Sequence, residues 1–204
     1  MSDEDVHRRI LDAAEDCFLE SGLTARIHRA IAERAQVSRP TVYKYVGDQQ
    51  AILEALLDRE VNRFIEAVRP LLTRQLPLRD QFVDSVAFTV DYAREHRLLQ
   101  KMLREEPELV LPWFTLHGDA LLRRAVTTVA EILAQRDRIP GEPSAMDYTM
   151  ASEWGARVAI SLITTPGVVD TGDPAKLRDF LNHLVDLGHP PPDRQDQQIG
   201  GRIL

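Results

Sequence analysis

The sequence is short of cysteines and of long apolar runs. Its 204 residues include one cysteine, Cys17, so an internal disulfide is excluded and a reducing compartment is indicated. No apolar run reaches the roughly 18 residues that a membrane-spanning helix needs. The acidic start, MSDEDVHRR, lacks the apolar stretch of a signal peptide. These absences predict a cytoplasmic protein. Cys17 itself is predicted to be a buried structural thiol.

Motifs of the common enzyme classes are also missing. The sequence contains no G-x-S-x-G, no glycine-rich phosphate loop, no H-E-x-x-H and no cysteine–histidine cluster. Helix-bundle di-metal enzymes need the Glu-x-x-His motif from two helices, and it occurs here once, from Glu4 to His7. The six histidines are scattered along the chain. We therefore predict that the protein is not an enzyme, with no catalytic residue, no metal ligand and no cofactor.

Helical periodicity is present from end to end. Apolar residues recur at helical spacing, and no segment shows the alternation of a strand. Gly22 follows the first periodic segment as a helix C-cap, and Asp48 is placed to cap a long helix over 48–72. Pro107 and Pro112 predict a broken, kinked region between later helices. The expected fold is all-α, with about nine helices.

Charge is distributed unevenly along the chain. The net charge of −7 argues at first against binding to nucleic acid. Residues 26–46, however, carry five cations and a single carboxylate, Glu33, whereas residues 1–25 are acidic. Such a basic island can bind phosphate without the whole protein adhering to polyanions. A solvated, arginine-rich helix surface would give the same pattern, so charge alone does not decide between the two.

The stretch 27–46 has the pattern of two short helices joined by a tight break at Gln36. The hydroxyl of Ser38 can cap the second helix, and Pro40 falls in its first turn, where a missing N–H costs nothing. That helix displays cations, hydroxyls and phenols, while Val42 faces inward. A short helix braced by another across a small turn is typical of a helix-turn-helix DNA reader.

These residues give the chain a specific resemblance to the TetR family of transcriptional regulators over about residues 4–64. The segments that carry it are Ile31-Ala32, Ala35-Gln36-Val37-Ser38, Pro40-Thr41-Val42-Tyr43-Lys44-Tyr45 and Ile52-Leu53. The remainder agrees in helix number and order. The resemblance implies a three-helix DNA-binding domain over 4–64, with its motif at 27–46, and a helical ligand-binding and dimerisation domain over 65–189. The polar residues 190–204 are predicted to be a disordered tail.

Four positions depart from the family pattern. Ile27 stands where the family often has Thr or Ser, and Gln49 stands where a Lys is common. Two contacts to DNA phosphates are therefore expected to be missing. Gln36 replaces the turn glycine and must adopt any left-handed conformation itself. Val46 replaces a Phe and fills less of the core. We therefore expect weaker binding to the DNA backbone than the family pattern would give.

The resemblance places the DNA contacts on and around the second helix of the motif. Arg39 could bind a guanine, Thr41 a thymine methyl group and Lys44 a base or a phosphate. Tyr43 and Tyr45 could donate to phosphates, with partial burial against the first helix as the alternative. The complete predicted set is Arg26, His28, Arg29, Ser38, Arg39, Pro40, Thr41, Tyr43, Lys44 and Tyr45.

A ligand pocket and a dimer surface are implied for the second domain. The candidate pocket residues are Phe82, Val86, Met102, Leu109, Trp113, Phe114, His117, Trp154 and Arg157. The candidate dimer surface combines a flat face of small residues with a leucine face and consists of Ala151, Gly155, Ala159, Leu177, Leu181 and Leu184. Ordinary core packing is the alternative for every member of both sets.

The sequence thus predicts a sequence-specific DNA-binding transcriptional regulator. By the family default it is a repressor, released from a palindromic operator when a small, largely apolar effector shifts the helix 48–72. Its partners would be operator DNA, the effector and a second copy of the chain, with no membrane. A helical protein-interaction module without DNA binding is the remaining alternative, and the basic island together with the intact pattern from Ser38 to Tyr45 argues against it.

Overall fold

The computed structural model describes residues 2–23, 27–137 and 147–187, and its regular structure over those ranges is entirely helical. This confirms the all-α prediction, with ten helices in place of about nine. The helices are α1 (Asp3–Ser21), α2 (His28–Arg34), α3 (Arg39–Tyr45), α4 (Gln49–Leu72), α5 (Leu78–Glu95), α6 (Arg97–Glu105), α7 (Pro107–Phe114), α8 (Asp119–Arg136), α9 (Tyr148–Thr164) and α10 (Pro174–Asp186).

Capping residues set the helix boundaries in the N-terminal part. The Thr41 amide donates to Ser38 Oγ at 3.2 Å and so fixes the start of α3. The Ala51 amide donates to Asp48 Oδ1 at 2.9 Å at the start of α4. Gly22 ends α1 with φ 79°, a left-handed conformation that suits glycine. Each of these residues satisfies backbone groups that a helix end leaves unpaired.

The turn between α2 and α3 contains a strained residue. Gln36 has φ 53° and is the one non-glycine residue with a positive φ in the described ranges. A side chain in this left-handed region crowds the following carbonyl oxygen, which a glycine would avoid. Gln36 thus adopts the conformation for which the family pattern has glycine.

The N-terminal core extends into the C-terminal body. Ile10, Phe18, Ile31 and Val42 are fully buried between the first four helices. Cys17 lies in the same core, as predicted, and burial raises the pKa of its thiol. Two residues of α6 complete this cluster, namely Leu98 and Met102. The first helix, α1, is therefore packed directly against α6, and α2 and α3 pack on α1.

The body has two further cores. In the first, Ile65, Val68 and Leu72 of α4 pack against Ile132 and Leu133 of α8. In the second, α5, α9 and α10 pack around the buried residues Val83, Val86, Ala87, Val90, Ala159, Leu177 and Leu181. Because α4 contributes to the N-terminal core and to the body, it joins the two rigidly.

The predicted break at Pro107 and Pro112 is replaced by a short helix. Pro107 occupies the first position of α7, where its missing N–H would be unpaired in any case. Pro112 lies inside α7, which ends two residues later at Phe114. Trp113 also belongs to α7. The predicted tail, 190–204, lies outside the described residues.

None of the described helices is both long enough and apolar enough to cross a membrane.

Candidate DNA-binding surface and ligand cavity

The exposed face of α3 carries most of the predicted DNA contacts. Arg39, Pro40 and Lys44 are exposed, and 47% of Tyr43 is accessible to solvent. Thr41 is half-buried, with its hydroxyl 2.7 Å from Ser38 Oγ. The fold thus brings these side chains to one accessible surface.

The free positive charge of the basic island is concentrated on α3. Arg39 and Lys44 form no ion pair with any described residue. Arg29 pairs with Glu33 at 2.8 Å, and Arg34 pairs with Glu20 of α1 at 2.8 Å. A cation already paired with a carboxylate gains less from a phosphate, because the first partner must be given up. Arg26, the fifth cation of the island, lies outside the described residues.

His28 supports α3 from α2. Its ring stacks on that of Tyr43, with centroids 4.7 Å apart and planes 7° apart. Its Nε2 is buried and has no hydrogen-bond partner among the described residues. This nitrogen is not accessible at the surface, and the ring packs against Tyr43; the phosphate contact of His28 stays a prediction. Tyr43 keeps its exposure on the outer side.

Tyr45 is engaged within the protein. Its hydroxyl donates to Asp3 Oδ1 at 2.7 Å, and its ring packs against the N-terminal core. The hydrogen bond to Asp3 raises the pKa of the Tyr45 phenol. The predicted phosphate contact is corrected accordingly, because the hydroxyl already ties α3 to the beginning of α1.

A cavity of about 760 Å³ lies between α4, α5, α6, α7, α8 and α9. Its volume is in the range of small-molecule sites, roughly 300–1,000 Å³, and most of its lining is apolar. Five of the nine predicted pocket residues line it, namely Met102, Leu109, Trp113, Phe114 and Arg157.

The other four predicted pocket residues lie elsewhere. Phe82 and Val86 face a separate space of about 100 Å³, on the side of α5 that packs against Gly155 of α9. His117 is exposed in the turn before α8. Trp154 lies on the outer side of α9 and is 64% exposed. The prediction does not hold for these four residues, because Phe82 and Val86 lie where α5 packs against α9, whereas His117 and Trp154 lie at the surface.

Two polar side chains that the sequence analysis missed form a pair in the cavity lining. His96 Nε2 lies 2.9 Å from Glu60 Oε2, and both side chains are mostly buried. The Leu99 amide donates to His96 Nδ1 at 3.2 Å, so His96 also caps α6. Because Nδ1 accepts this bond, we assign the proton of the neutral ring to Nε2, which donates it to Glu60.

Glu60 is ionised at neutral pH. Burial raises the pKa of its carboxyl, but the hydrogen bond from His96 and the charges of Arg63 and Arg59 outweigh burial and lower the pKa overall. Arg63 Nη1 donates to Glu60 Oε1 at 2.7 Å, and Arg59 Nε donates to the same atom at 3.3 Å. The cavity thus contains a fixed negative charge.

The same network continues to the DNA-binding helices. Arg59 donates to Asp12 at 2.8 Å and to Glu15 at 2.6 Å, and both acceptors belong to α1. Arg63 also donates to Glu15, at 3.4 Å. Charged side chains of α4 therefore connect the cavity wall with the first helix of the DNA-binding part.

Leu23, at the end of α1, is shared between the cavity and the DNA-binding part. Its side chain lines the cavity. Its amide donates to Glu106 Oε2 at 2.6 Å, and its carbonyl accepts from Gln49 Nε2. The sequence predicts a lost phosphate contact at Gln49, and in the structure its side chain binds within the protein instead. No sequence pattern marks such a contact, since Glu106 lies far from Leu23 along the chain.

The predicted dimer surface is partly wrong. Ala159, Leu177 and Leu181 are buried in the core formed with α5, so they cannot meet a second copy. Gly155 packs toward Phe82, and Ala151 lines the smaller space beside it. The small residues of α9 thus allow close packing onto α5, the alternative left open by the sequence. Of the predicted set, Leu184 remains half-exposed.

A different apolar face of α9 and α10 points outward. Met150 and Trp154 of α9 are 61% and 64% exposed, and Leu187, just after α10, is 85% exposed. Half-exposed Leu184 precedes Leu187 by one helical turn. Large apolar side chains that are exposed on two helices are candidates for a protein–protein contact.

Within the described ranges, no group of three or more His, Cys, Asp or Glu side chains is arranged to hold a metal ion.

Two family models match the chain. The model described as bacterial regulatory proteins, tetR family, matches residues 10–56, which contain α2 and α3. The model of the bacterial tetracyclin repressor C-terminal domain matches residues 78–183, more than half of the chain. Together the two matches cover the DNA-reading surface and most of the cavity wall.

Individual proteins agree with this assignment. An uncharacterised helix-turn-helix regulator of Mycobacterium tuberculosis, Rv1255c, is 24% identical over 91% of this chain and 92% of its own length. YdeS of Bacillus subtilis, another uncharacterised regulator, is 45% identical over 25% of this chain and 26% of its own. The crystal structure of AlkX from Dietzia, a TetR family repressor implicated in n-alkane biodegradation, has a TM-score of 0.66 at 21% identity, covering 89% of this chain and 94% of that one. The chain therefore belongs to the tetR family of bacterial regulatory proteins and is a DNA-binding transcriptional regulator.

Proposed function

We propose that the protein is a repressor that binds a palindromic operator as a homodimer and leaves it when a small, largely apolar ligand enters the cavity. The observation that carries this proposal is the position of Leu23. Its side chain lines the cavity, and its backbone is held by Glu106 and Gln49 at the end of α1. A ligand in the cavity therefore touches the segment that leads into the helix-turn-helix.

We assign base contacts to Arg39, Thr41 and Lys44, which lie on the accessible side of α3. Arg39 and Lys44 are cations without a described carboxylate partner, so their charge is available to bases and phosphates. Tyr43, exposed and stacked on His28, is placed to donate to a phosphate. The remaining predicted contacts, Arg29, Ser38 and Pro40, lie on or beside the same two helices.

The domain division proposed from the sequence, 4–64 and 65–189, cuts α4 at its middle. Since α4 runs from Gln49 to Leu72 and packs in both parts, we regard it as the element that transmits movement between them. Ligand binding shifts the population between two positions of α4 and of the α6–α7 junction. In a dimer, that shift changes the separation of the two α3 helices from the roughly 34 Å that successive major grooves require.

For the dimer contact we propose the outward apolar face formed by Met150, Trp154, Leu184 and Leu187. These side chains are exposed or half-exposed on α9, on α10 and just after α10, so a second copy could cover them by two-fold symmetry. Sedimentation velocity at micromolar concentration should give a dimer. W154K should shift the protein to monomer and weaken operator binding, while W154F should retain the dimer. A monomeric wild type, or a dimeric W154K, would rule out this contact.

Selection of bound duplexes from random DNA tests the function as a whole. The expected product is a palindrome, bound with an affinity that falls steeply as salt rises. Addition of a cavity ligand to the purified complex should release the DNA. The fall in fluorescence anisotropy of the labelled duplex measures this release. Recovery of unrelated sequences would contradict operator recognition, and a ligand-bound protein that keeps its full operator affinity would contradict release. Transcription from the selected site should fall when the protein is added.

A further inference from the structure

At the polar end of the cavity, the carboxylate of Glu60 has one acceptor position that no described residue fills. An ionised carboxylate can accept about four hydrogen bonds, two at each oxygen. Glu60 Oε1 accepts from Arg59 and Arg63, whereas among the described residues Oε2 accepts from His96 alone. Oε2 thus retains one acceptor position. Because Glu60 lines the cavity, a ligand that carries a donor can occupy that position.

The hydroxyl of Tyr92 is available at the same end. Tyr92 lines the cavity one helical turn before His96, with ring centroids 6.2 Å apart. Its ring contacts Phe64 and Phe88, but its hydroxyl has no hydrogen-bond partner among the described residues. Burial and the charge of Glu60 raise the pKa of this phenol, so it remains a neutral donor and acceptor.

In the part of the chain that the structure describes, no free cation accompanies these two groups. The two arginines nearest to Glu60 are already bound to carboxylates, Arg59 to Asp12 and Glu15, and Arg63 to Glu15. Neither arginine lines the cavity. A ligand carboxylate at this end would therefore lie beside the carboxylate of Glu60, and neither arginine that balances Glu60 lines the cavity to bind it.

The one arginine in the cavity lining stands at an exposed position. Arg157 is exposed, and its side chain donates to Glu153 at 2.6 Å. Thr115, Asp119 and Ser161 are further exposed lining residues, so we place the mouth of the cavity at this side. Between the mouth and Glu60 the lining is dominated by leucine, phenylalanine, methionine and tryptophan side chains.

From this arrangement we infer the chemical class of the effector, an inference that rests on the ligand-regulated function proposed above. The effector is an apolar molecule whose inner end is a hydrogen-bond donor without negative charge, that is, a hydroxyl or an amine. The donor binds Glu60 Oε2, Tyr92 completes the contact, and the apolar body fills the space toward the mouth. Carboxylates with the same apolar body are excluded.

The test compares decanol, decylamine and decanoate, which share one alkyl chain and differ in the polar end. Binding to the full-length protein is measured in the absence of DNA, through the fluorescence of Trp113 in the cavity, in a W154F background that removes the exposed tryptophan. Decanol and decylamine should bind at least about tenfold more tightly than decanoate, as expected for one hydrogen bond to a charged group. Equal or tighter binding of decanoate, or no binding of decanol and decylamine, overturns the inference.

Four variants identify the contacts. Y92F should weaken decanol binding by roughly three- to tenfold. It should leave the thermal unfolding temperature unchanged, because the Tyr92 hydroxyl has no hydrogen-bond partner in the described protein. S161A removes another cavity-lining hydroxyl, at the mouth, and should not change decanol affinity. E60Q should reduce the preference for decanol over decanoate. Tight decanoate binding that R157A abolishes would place the polar end of the ligand at the mouth and overturn the inference.

These measurements are independent of the operator. Decanol that binds as expected and leaves the DNA complex intact would leave the ligand class standing and defeat ligand release. Decanoate that binds best and releases the DNA would defeat the ligand class and leave ligand release standing. The two proposals therefore fail by different results.

Discussion

The carboxylate of Glu106, between α6 and α7, accepts a hydrogen bond from the backbone amide of Leu23 at 2.6 Å, although the two residues are 83 positions apart. Leu23 is the last described residue before the segment that leads into α2. Gln49, at the start of α4, binds the carbonyl of the same residue. One residue thus connects three elements, and its side chain reaches the ligand cavity.

Removal of this acceptor should weaken the response of the protein to its ligand. In E106A the Leu23 amide loses its partner, so movement of the α6–α7 junction is no longer transmitted to the end of α1. We expect the ratio of operator affinities without and with ligand to fall several-fold, and stability to fall by about 1–2 kcal/mol. Fluorescence anisotropy with labelled operator, with and without decanol, measures the ratio.

E106Q is the matched control, because the glutamine oxygen can still accept from Leu23. It should retain most of the ligand response. Should E106A respond to ligand as strongly as wild type while both fold normally, the contact would have no part in regulation.

Arg39 should contribute to sequence discrimination more than to general affinity. Its guanidinium is exposed at the start of α3 without a described carboxylate partner. We expect R39A to lose about 1–3 kcal/mol at one base pair and to tolerate substitution of that pair. Competition binding with a set of single-site operator variants measures this effect.

R123A provides the comparison for Arg39, since Arg123 is an exposed arginine of α8 in the body. Its removal changes the net charge equally and should leave discrimination intact. A uniform loss across all operator variants in R39A would assign Arg39 to a phosphate instead of a base.

Local sequence patterns predicted the start and the buried side of α3 well. Ser38, Pro40 and Val42 occupy the cap, first-turn and buried positions that their residue types suggested. These positions depend on interactions within a few residues, which the sequence specifies directly. The half-exposure of Tyr45 and its bond to Asp3 depend on how α1 packs against α3, a feature outside any local pattern.

Helix faces in the body were harder to assign. Ala151, Gly155 and Ala159 form a stripe of small residues, which serves equally for contact with a second copy and for close packing within one chain. The structure uses Gly155 and Ala159 against α5. Glu60 could have been noticed from the sequence, because it interrupts the apolar residues Leu57 and Val61 of a long helix. A charge in that position needs a buried partner or a cavity.

The left-handed turn residue should limit stability. Gln36 has φ 53°, which costs a residue with a side chain roughly 1–2 kcal/mol relative to glycine. Q36G removes this strain but adds freedom to the unfolded chain, so we expect a net stabilisation of about 0.5–1 kcal/mol. Urea unfolding measures the free energy. Q36A, which keeps a Cβ, should show no such gain, and equal stabilisation by both variants would contradict the strain argument.

The ionised carboxylate of Glu60, which accepts a hydrogen bond from His96, should make stability depend on pH in the acidic range. Because the folded-state pKa of Glu60 lies below its ordinary value of 4.5, its charge stabilises the fold above that pH, and the contribution disappears as pH falls through the folded-state pKa. E60Q should therefore be less stable than wild type by about 1–3 kcal/mol at neutral pH and should lose less stability on acidification. Urea unfolding across this pH range measures both effects.

E66Q is the comparison, since the pKa of Glu66 is also lowered, by Arg69, but at an exposed site. Salt screens exposed pairs far more than buried ones, so added salt should abolish the effect of E66Q and preserve that of E60Q. If salt removed both effects equally, the Glu60–His96 pair would be open to solvent in the folded protein. It could not then serve as the polar end of a dry cavity.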